Sequence, residues 1–214
     1  MINLKSYTLI KNQINSSTKL VAVSKKQSLQ KIQRLYKEGQ RDFGENFIQE
    51  LIQKKKALPK DIKWHFLGNI QSNKIKLIVN HATLIHSVGR NKVYEQILNV
   101  DTDKDIKILL QLKLGSENSK GGFNDNEIIS ILEKHSPGSN VKICGLMGIA
   151  ENNASHEQRI KQFNKCSDLF AKIKLMNDSV EVLSLGMSND WEDAVSHGST
   201  MIRIGSKIIG DRKQ

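Results

Sequence analysis

No apolar run in this chain reaches the roughly 18 to 20 residues that a helix needs to cross a bilayer. The N-terminal stretch MINLKSYTLIKNQINSSTK also lacks the apolar centre of a secretory signal. Both absences point to a soluble protein of the cytoplasm with no membrane partner. Cysteine is scarce: Cys144 and Cys166 stand alone, without CxxC spacing or histidine neighbours, which argues against a zinc site and a disulfide framework. Aromatic residues make up 5% of the chain, too few for a base-stacking surface. No Pro/Ser-rich linker, low-complexity tract or internal repeat divides the 214 residues, so one domain over residues 1–214 is expected.

The formal charge of +11 favours polyanions in general. The basic residues are nevertheless spread through helix-like segments such as IQKKKALPK and NKIKLIVN, interleaved with core positions, and read as solvated surface. No specific nucleic-acid partner is expected. An RNA- or ribosome-associated protein remains a distinct reading, which steep salt-dependent RNA binding without a cofactor would favour.

Short apolar runs recur at a regular beat, each followed by a longer segment with helical spacing. Strands are predicted at 19–24, 41–45, 63–68, 84–88, 106–114, 141–149, 180–187 and 199–206. Helices are predicted at about 28–38, 46–57, 72–80, 90–100, 124–135, 156–177 and 190–197, with Gly39 and Gly198 placed as left-handed C-caps. Eight strands alternating with helices imply parallel pairing and closure into a (β/α)8 barrel, an α/β fold. An open doubly wound sheet is the competing architecture, but no GxGxxG follows the first strand. Only KIIGDRKQ follows the last strand, and the helical spacing of INLKSYTLIKNQI suits it to covering the gap left there.

In such a barrel the chemistry gathers at the C-terminal ends of the strands. Strand one runs into Ser24-Lys25, strand two into Gly44-Glu45-Asn46, strand seven into Gly186-Met187-Ser188-Asn189, and strand eight carries Arg203 before Gly205-Ser206. Strand three offers His65. An amine at an apolar strand end can be desolvated into a nucleophile towards aldehydes, although an isolated lysine more often snorkels to solvent. The loops GMSND and RIGSKIIG supply small residues and hydroxyls suited to holding a phosphate. A lysine across the rim from a phosphate cradle is a layout for pyridoxal 5′-phosphate.

The blocks AVSK, GQRDFGEN, WHFLGNIQSNK, ENSKGG and LSLGMSNDWEDAVSHGSTMIRIGSKIIG resemble the family of pyridoxal-phosphate homeostasis proteins, in the family's order and over about residues 19–210. The resemblance implies a barrel like the N-terminal domain of alanine racemase. It implies a Schiff base to the cofactor at Lys25 rather than Lys26, with Asn46 beside the cofactor and Ser188, Gly205 and Ser206 at its phosphate. It also places His65 near the site, although a histidine packed in the barrel interior is an equal alternative. Met187 lies under the ring or serves as core filler. Ser206 stands where threonine is common, which preserves the hydroxyl. The segment GSENSKGGF is similar to the family's SxExSKxG segment, and closing over the rim and touching a partner are its two expected uses.

Arg203 bears on the chemistry. A guanidinium donating to the pyridine nitrogen keeps that nitrogen unprotonated, so the ring is a poor electron sink. The alternative is an interior arginine paired with a carboxylate. The expected function is therefore a monomeric carrier of pyridoxal 5′-phosphate that serves intracellular homeostasis of the cofactor without strong turnover, with cofactor-requiring apoenzymes as candidate partners. An amino-acid racemase is the alternative. Alanine racemases take a second acid–base group from a tyrosine of a C-terminal domain, and Tyr7, Tyr36 and Tyr94 fall at no predicted strand end.

Overall fold

A computed structural model describes residues 2–115, 121–136 and 138–210. Helix α1 (Leu4–Gln13) leads into β1 (Lys19–Val23), α2 (Leu29–Lys37), β2 (Asp42–Glu45), α3 (Ile48–Ala57) and β3 (Lys63–Phe66). A short 3₁₀ turn at Ser72–Lys74 enters α4 (Ile75–His81), followed by β4 (Leu84–Val88), α5 (Asn91–Leu98) and β5 (Ile106–Leu112). Then come α6 (Asp125–Lys134), β6 (Val141–Gly148), α7 (His156–Lys174), β7 (Val182–Ser184), α8 (Trp191–Ser196), β8 (Met201–Ile204) and α9 (Ser206–Ile209). The eight strands pair in parallel in sequence order, and β8 closes on β1.

The strands alternate two faces with period two. Outward residues such as Leu20, Ala22, Phe43 and Trp64 merge with the helices into one large apolar layer. Inward residues Val21, Leu84, Leu109, Met147 and Met201 form a second, smaller cluster that fills the lumen. Full burial of a large aliphatic side chain contributes roughly 1.5–3 kcal/mol, so this double use of each strand is the main source of stability. Helices α6 and α7 begin with reciprocal capping boxes, Asn124 with Glu127 and Ser155 with Gln158, which satisfy backbone donors that the first turn leaves open.

Gly39 and Gly198 adopt φ of 88° and 85° just past α2 and α8, the left-handed ends expected of them. Helix α1 packs beside α9, and the Asn3 N–H donates to the Ile208 carbonyl at 2.9 Å. The N-terminal segment thus adjoins the abbreviated helix after β8, as its spacing suggests. Among the described residues no helix is long and apolar enough to cross a membrane.

Candidate functional site

The ends of β7, β8, β1 and β2 are neighbours around the barrel and form one arc of its C-terminal rim. Strand β1 ends at Val23, one residue short of the expected 19–24, and Lys25 stands in the turn just beyond it. Pairing persists for one further residue, because the Ser24 N–H donates to the Gly44 carbonyl at 2.9 Å. Lys25 is half-buried and Lys26 is exposed, consistent with the two lysines pointing to different surroundings.

Gly205 lies against the end of β1. A Cβ built there would meet only Val23, at 3.5 Å, with nothing closer. The Gly205 N–H points to Ser188 Oγ at 3.4 Å, so the Ser188 hydroxyl hydrogen is directed elsewhere. Gly186 turns the chain at φ 89°, where a Cβ would lie 2.7 Å from the Ala194 Cβ. The Met187 N–H donates to Asp190 Oδ1 at 2.6 Å, closing the loop that presents Ser188. Asn46, Met187 and Ser188 are half-buried, while Ser206, which opens α9, is exposed.

Arg203 lies in the lumen, in register with Val21 and 5% exposed. Its Nη1 donates to Ser184 Oγ at 2.6 Å and to the Ser184 carbonyl at 2.8 Å, and its Nη2 to the Gly148 carbonyl at 2.9 Å. These acceptors are neutral, so the alternative of a carboxylate-paired arginine does not apply among the described residues. Burial pulls its pKa down to about 10, which leaves it charged at neutral pH. A guanidinium has five N–H groups, and acceptors among the described residues take three of them.

His65 is the expected site residue that the structure sets apart. It is buried below the rim, with Nε2 3.0 Å from Asp42 Oδ1 and Nδ1 2.9 Å from His86 Nε2. Both ring nitrogens are engaged by the lumen, which leaves neither for a ligand at the rim. This is the interior packing that stood as its alternative.

A chain of bonds then crosses the barrel, because His86 Nδ1 meets Ser184 Oγ at 3.2 Å. The direction of its protons is set at the far end by Asp42, whose carboxylate can only accept. Ser184 Oγ accepts from Arg203 and still has a hydrogen to give to His86 Nδ1. His86 then carries its proton on Nε2 and gives it to His65 Nδ1, and His65 Nε2–H gives to the Asp42 carboxylate. Every polar group along the chain then has a partner.

Charge agrees with this assignment. Burial first, then charge repulsion from the directions of His65 and Arg203, holds the His86 pKa well below the ordinary 6.5. Burial raises the Asp42 carboxyl, but its hydrogen bond and charge contact with His65, together with Lys63 and Lys19, bring it below the usual value of 3.8. A histidine depressed in the folded state contributes stability that is present above the unfolded value and lost as pH falls below it. The urea midpoint is therefore expected to drop as pH falls through 6.5, and His86→Gln, which retains one acceptor and one donor, should flatten that drop. Equal slopes for the two proteins would refute the assignment.

Asp42, His86 and Ser184 were missed by sequence reasoning. Their signal was polarity at inward positions of otherwise apolar strands, as in LIHSV. The expected GSENSKGGF loop falls largely on residues 116–120, which lie outside the described residues. A groove of about 640 Å³ between α5 and α6 is lined by Tyr94, Glu127 and His135 among others and shares no residue with the rim. No cluster of His, Cys, Asp and Glu suited to a metal occurs among the described residues.

Comparison with known proteins follows the same outline. The alanine racemase N-terminal domain family matches residues 5–213. A pyridoxal phosphate homeostasis protein of Synechocystis is 36% identical over 99% of this chain and 100% of its own. One of Vibrio alginolyticus is 34% identical over 92% of this chain and 87% of its own. PipY of Synechococcus elongatus, solved with pyridoxal phosphate bound, superposes with TM-score 0.88 at 33% identity, covering 96% of this chain and 99% of that one. Alanine racemase of Corynebacterium glutamicum, at 15% identity and TM-score 0.74 over 96% of this chain and 60% of its own, shares the fold. The chain belongs to the alanine racemase N-terminal domain family, among the pyridoxal phosphate homeostasis proteins.

Proposed function

We propose that this chain binds pyridoxal 5′-phosphate at the barrel rim and serves intracellular homeostasis of that cofactor without strong turnover of its own. The observation that carries this reading is Arg203, a buried cation held by neutral acceptors with two N–H groups left for a ligand. The residues present fit the cofactor at both ends. Arg203 matches a basic ring nitrogen, and the hydroxyls of Ser188 and Ser206 with the open face of Gly205 match a phosphate. When bound, pyridoxal phosphate supplies an aldehyde that condenses with a lysine amine, and a ring that draws electrons well only when its nitrogen is protonated.

The residues then divide the work. Lys25 provides the attaching amine. Arg203 donates to the ring nitrogen and, as a permanent donor at neutral pH, keeps a proton off it. Ser188 and Ser206 donate to the phosphate, and Asn46 and Met187 bound the ring from their half-buried places on the rim. His65 acts at one remove, through His86 and Ser184, on the orientation of Arg203.

Two-sided racemisation needs a second acid–base group. All three tyrosines belong to the outer helices, with hydroxyls on Gln40 for Tyr7, Asp61 for Tyr36 and His135 for Tyr94. None is at the rim. Cofactor-requiring apoenzymes as recipients, and action as a monomer, belong to this same reading. The test is chiral analysis of alanine and serine after long incubation with cofactor-loaded protein. No conversion above the Lys25→Ala control is expected, and robust racemisation lost in that control would promote the racemase reading.

A further inference from the structure

The turn that carries Lys25 is gripped from outside the barrel by a buried ionic cluster on the β2–α3 unit. Lys54 on α3 uses its three ammonium hydrogens on the Ser24 carbonyl at 2.6 Å, Glu45 Oε1 at 2.8 Å and Glu50 Oε1 at 2.7 Å. The Ser24 hydroxyl donates to Glu45 Oε1 at 2.5 Å, and the Lys26 N–H donates to Glu50 Oε1 at 2.6 Å. Inside the turn, the Gln27 N–H returns to the Ser24 carbonyl at 3.0 Å.

The side chains of Lys54 and Glu45 are 5% and 0% exposed, and that of Glu50 is 22% exposed. Such burial is costly for charges and is not needed to fill the surrounding apolar layer. Lys26 adopts φ 57°, a region that side-chain-bearing residues rarely enter. Something must hold it there, and the Glu50 carboxylate caps its N–H.

We propose that Glu45, Lys54 and Glu50 are positioning residues for Lys25, which fix the turn Ser24–Gln27 before any ligand arrives and so present the amine in one orientation. The role assigned to Lys25 rests on the attachment reading above; the fixing of the turn does not. Glu45 Oε1 accepts from both Lys54 and Ser24, while its buried Oε2 has no hydrogen-bond partner among the described residues. Two carboxylates share one ammonium, and burial, against the pull of Lys54 and Ser24, raises the Glu45 carboxyl to about 7. A glutamine keeps one acceptor but sets its amide donors where Oε2 has no partner, so it should replace Glu45 only in part.

Amide hydrogen exchange on the ligand-free protein, followed by the rate of covalent capture of pyridoxal 5′-phosphate, tests the clamp. Glu50→Ala, Lys54→Met and Glu45→Ala should each speed exchange at Lys26 and Gln27 by about tenfold or more while leaving β5 and β6 unchanged, since local opening is independent of the global core. The same variants should capture the aldehyde more slowly, and Glu45→Gln should lie between Glu45→Ala and the wild type in both measurements. Glu50→Ala changes a partly exposed side chain and carries the test if Lys54→Met fails to fold. Unchanged exchange at Lys26 and Gln27, faster exchange with unchanged capture, or Glu45→Gln no better than Glu45→Ala would each overturn the proposal. If wild-type protein captures no aldehyde, the attachment reading fails, and the exchange data still decide whether the clamp exists.

Discussion

Lys25→Ala protein, saturated with pyridoxal 5′-phosphate and then dialysed, should retain no covalently bound cofactor, while Lys26→Ala protein should load like the wild type. The contrast between adjacent lysines follows from their places. Lys25 is half-buried in the turn after β1, whereas Lys26 is exposed with left-handed φ and its N–H turned to Glu50. The substitution empties no core position, so its effect on thermal stability should stay within the range of about 0.5 kcal/mol typical of surface changes. Loss of attachment with the melting transition preserved separates a chemical role from a structural one. Attachment in Lys25→Ala equal to that of the wild type would sink the assignment.

The second large effect concerns the phosphate. Replacing Ser188 and Ser206 together by alanine should weaken cofactor binding by about a hundredfold or more, since each hydrogen bond to a charged oxygen is worth roughly 1.5–3 kcal/mol. Ser188→Ala also strips the Gly205 N–H of its 3.4 Å acceptor, which loosens the loop that faces β1. Pyridoxal lacking the phosphate should bind the wild type poorly and should be nearly indifferent to the double substitution. Equilibrium titration with both aldehydes measures this, and equal wild-type affinities would place the phosphate outside the protein.

The barrel was legible because its strands are buried on both faces and its helices on one, so the apolar pattern changes period at each boundary. Boundaries were less legible where pairing continues past regular geometry. Strand β7 spans Val182–Ser184 rather than 180–187, yet the Glu181 N–H reaches the Cys144 carbonyl at 2.9 Å and the Leu185 N–H reaches Met201 at 3.2 Å. The helix expected at 72–80 opens as a 3₁₀ turn at Ser72–Lys74.

The rim residues were readable because turn glycines and hydroxyls cluster at strand ends. The lumen chain was not, because it joins side chains distant in sequence: His86 and Ser184 are 98 residues apart and meet only when β4 and β7 face each other across a closed barrel. The Glu45–Lys54–Ser24 cluster escaped for a related reason. Lys54 sits in the run KKK, where a solvated surface is the ordinary expectation, and only the packing of α3 against the β1 turn buries it.

The most direct measurement of the central claim is borohydride reduction of the wild-type protein loaded with pyridoxal 5′-phosphate, followed by peptide mapping. The account predicts a single phosphopyridoxyl adduct on Lys25. An adduct on Lys26 or another lysine, or none at all, would contradict it.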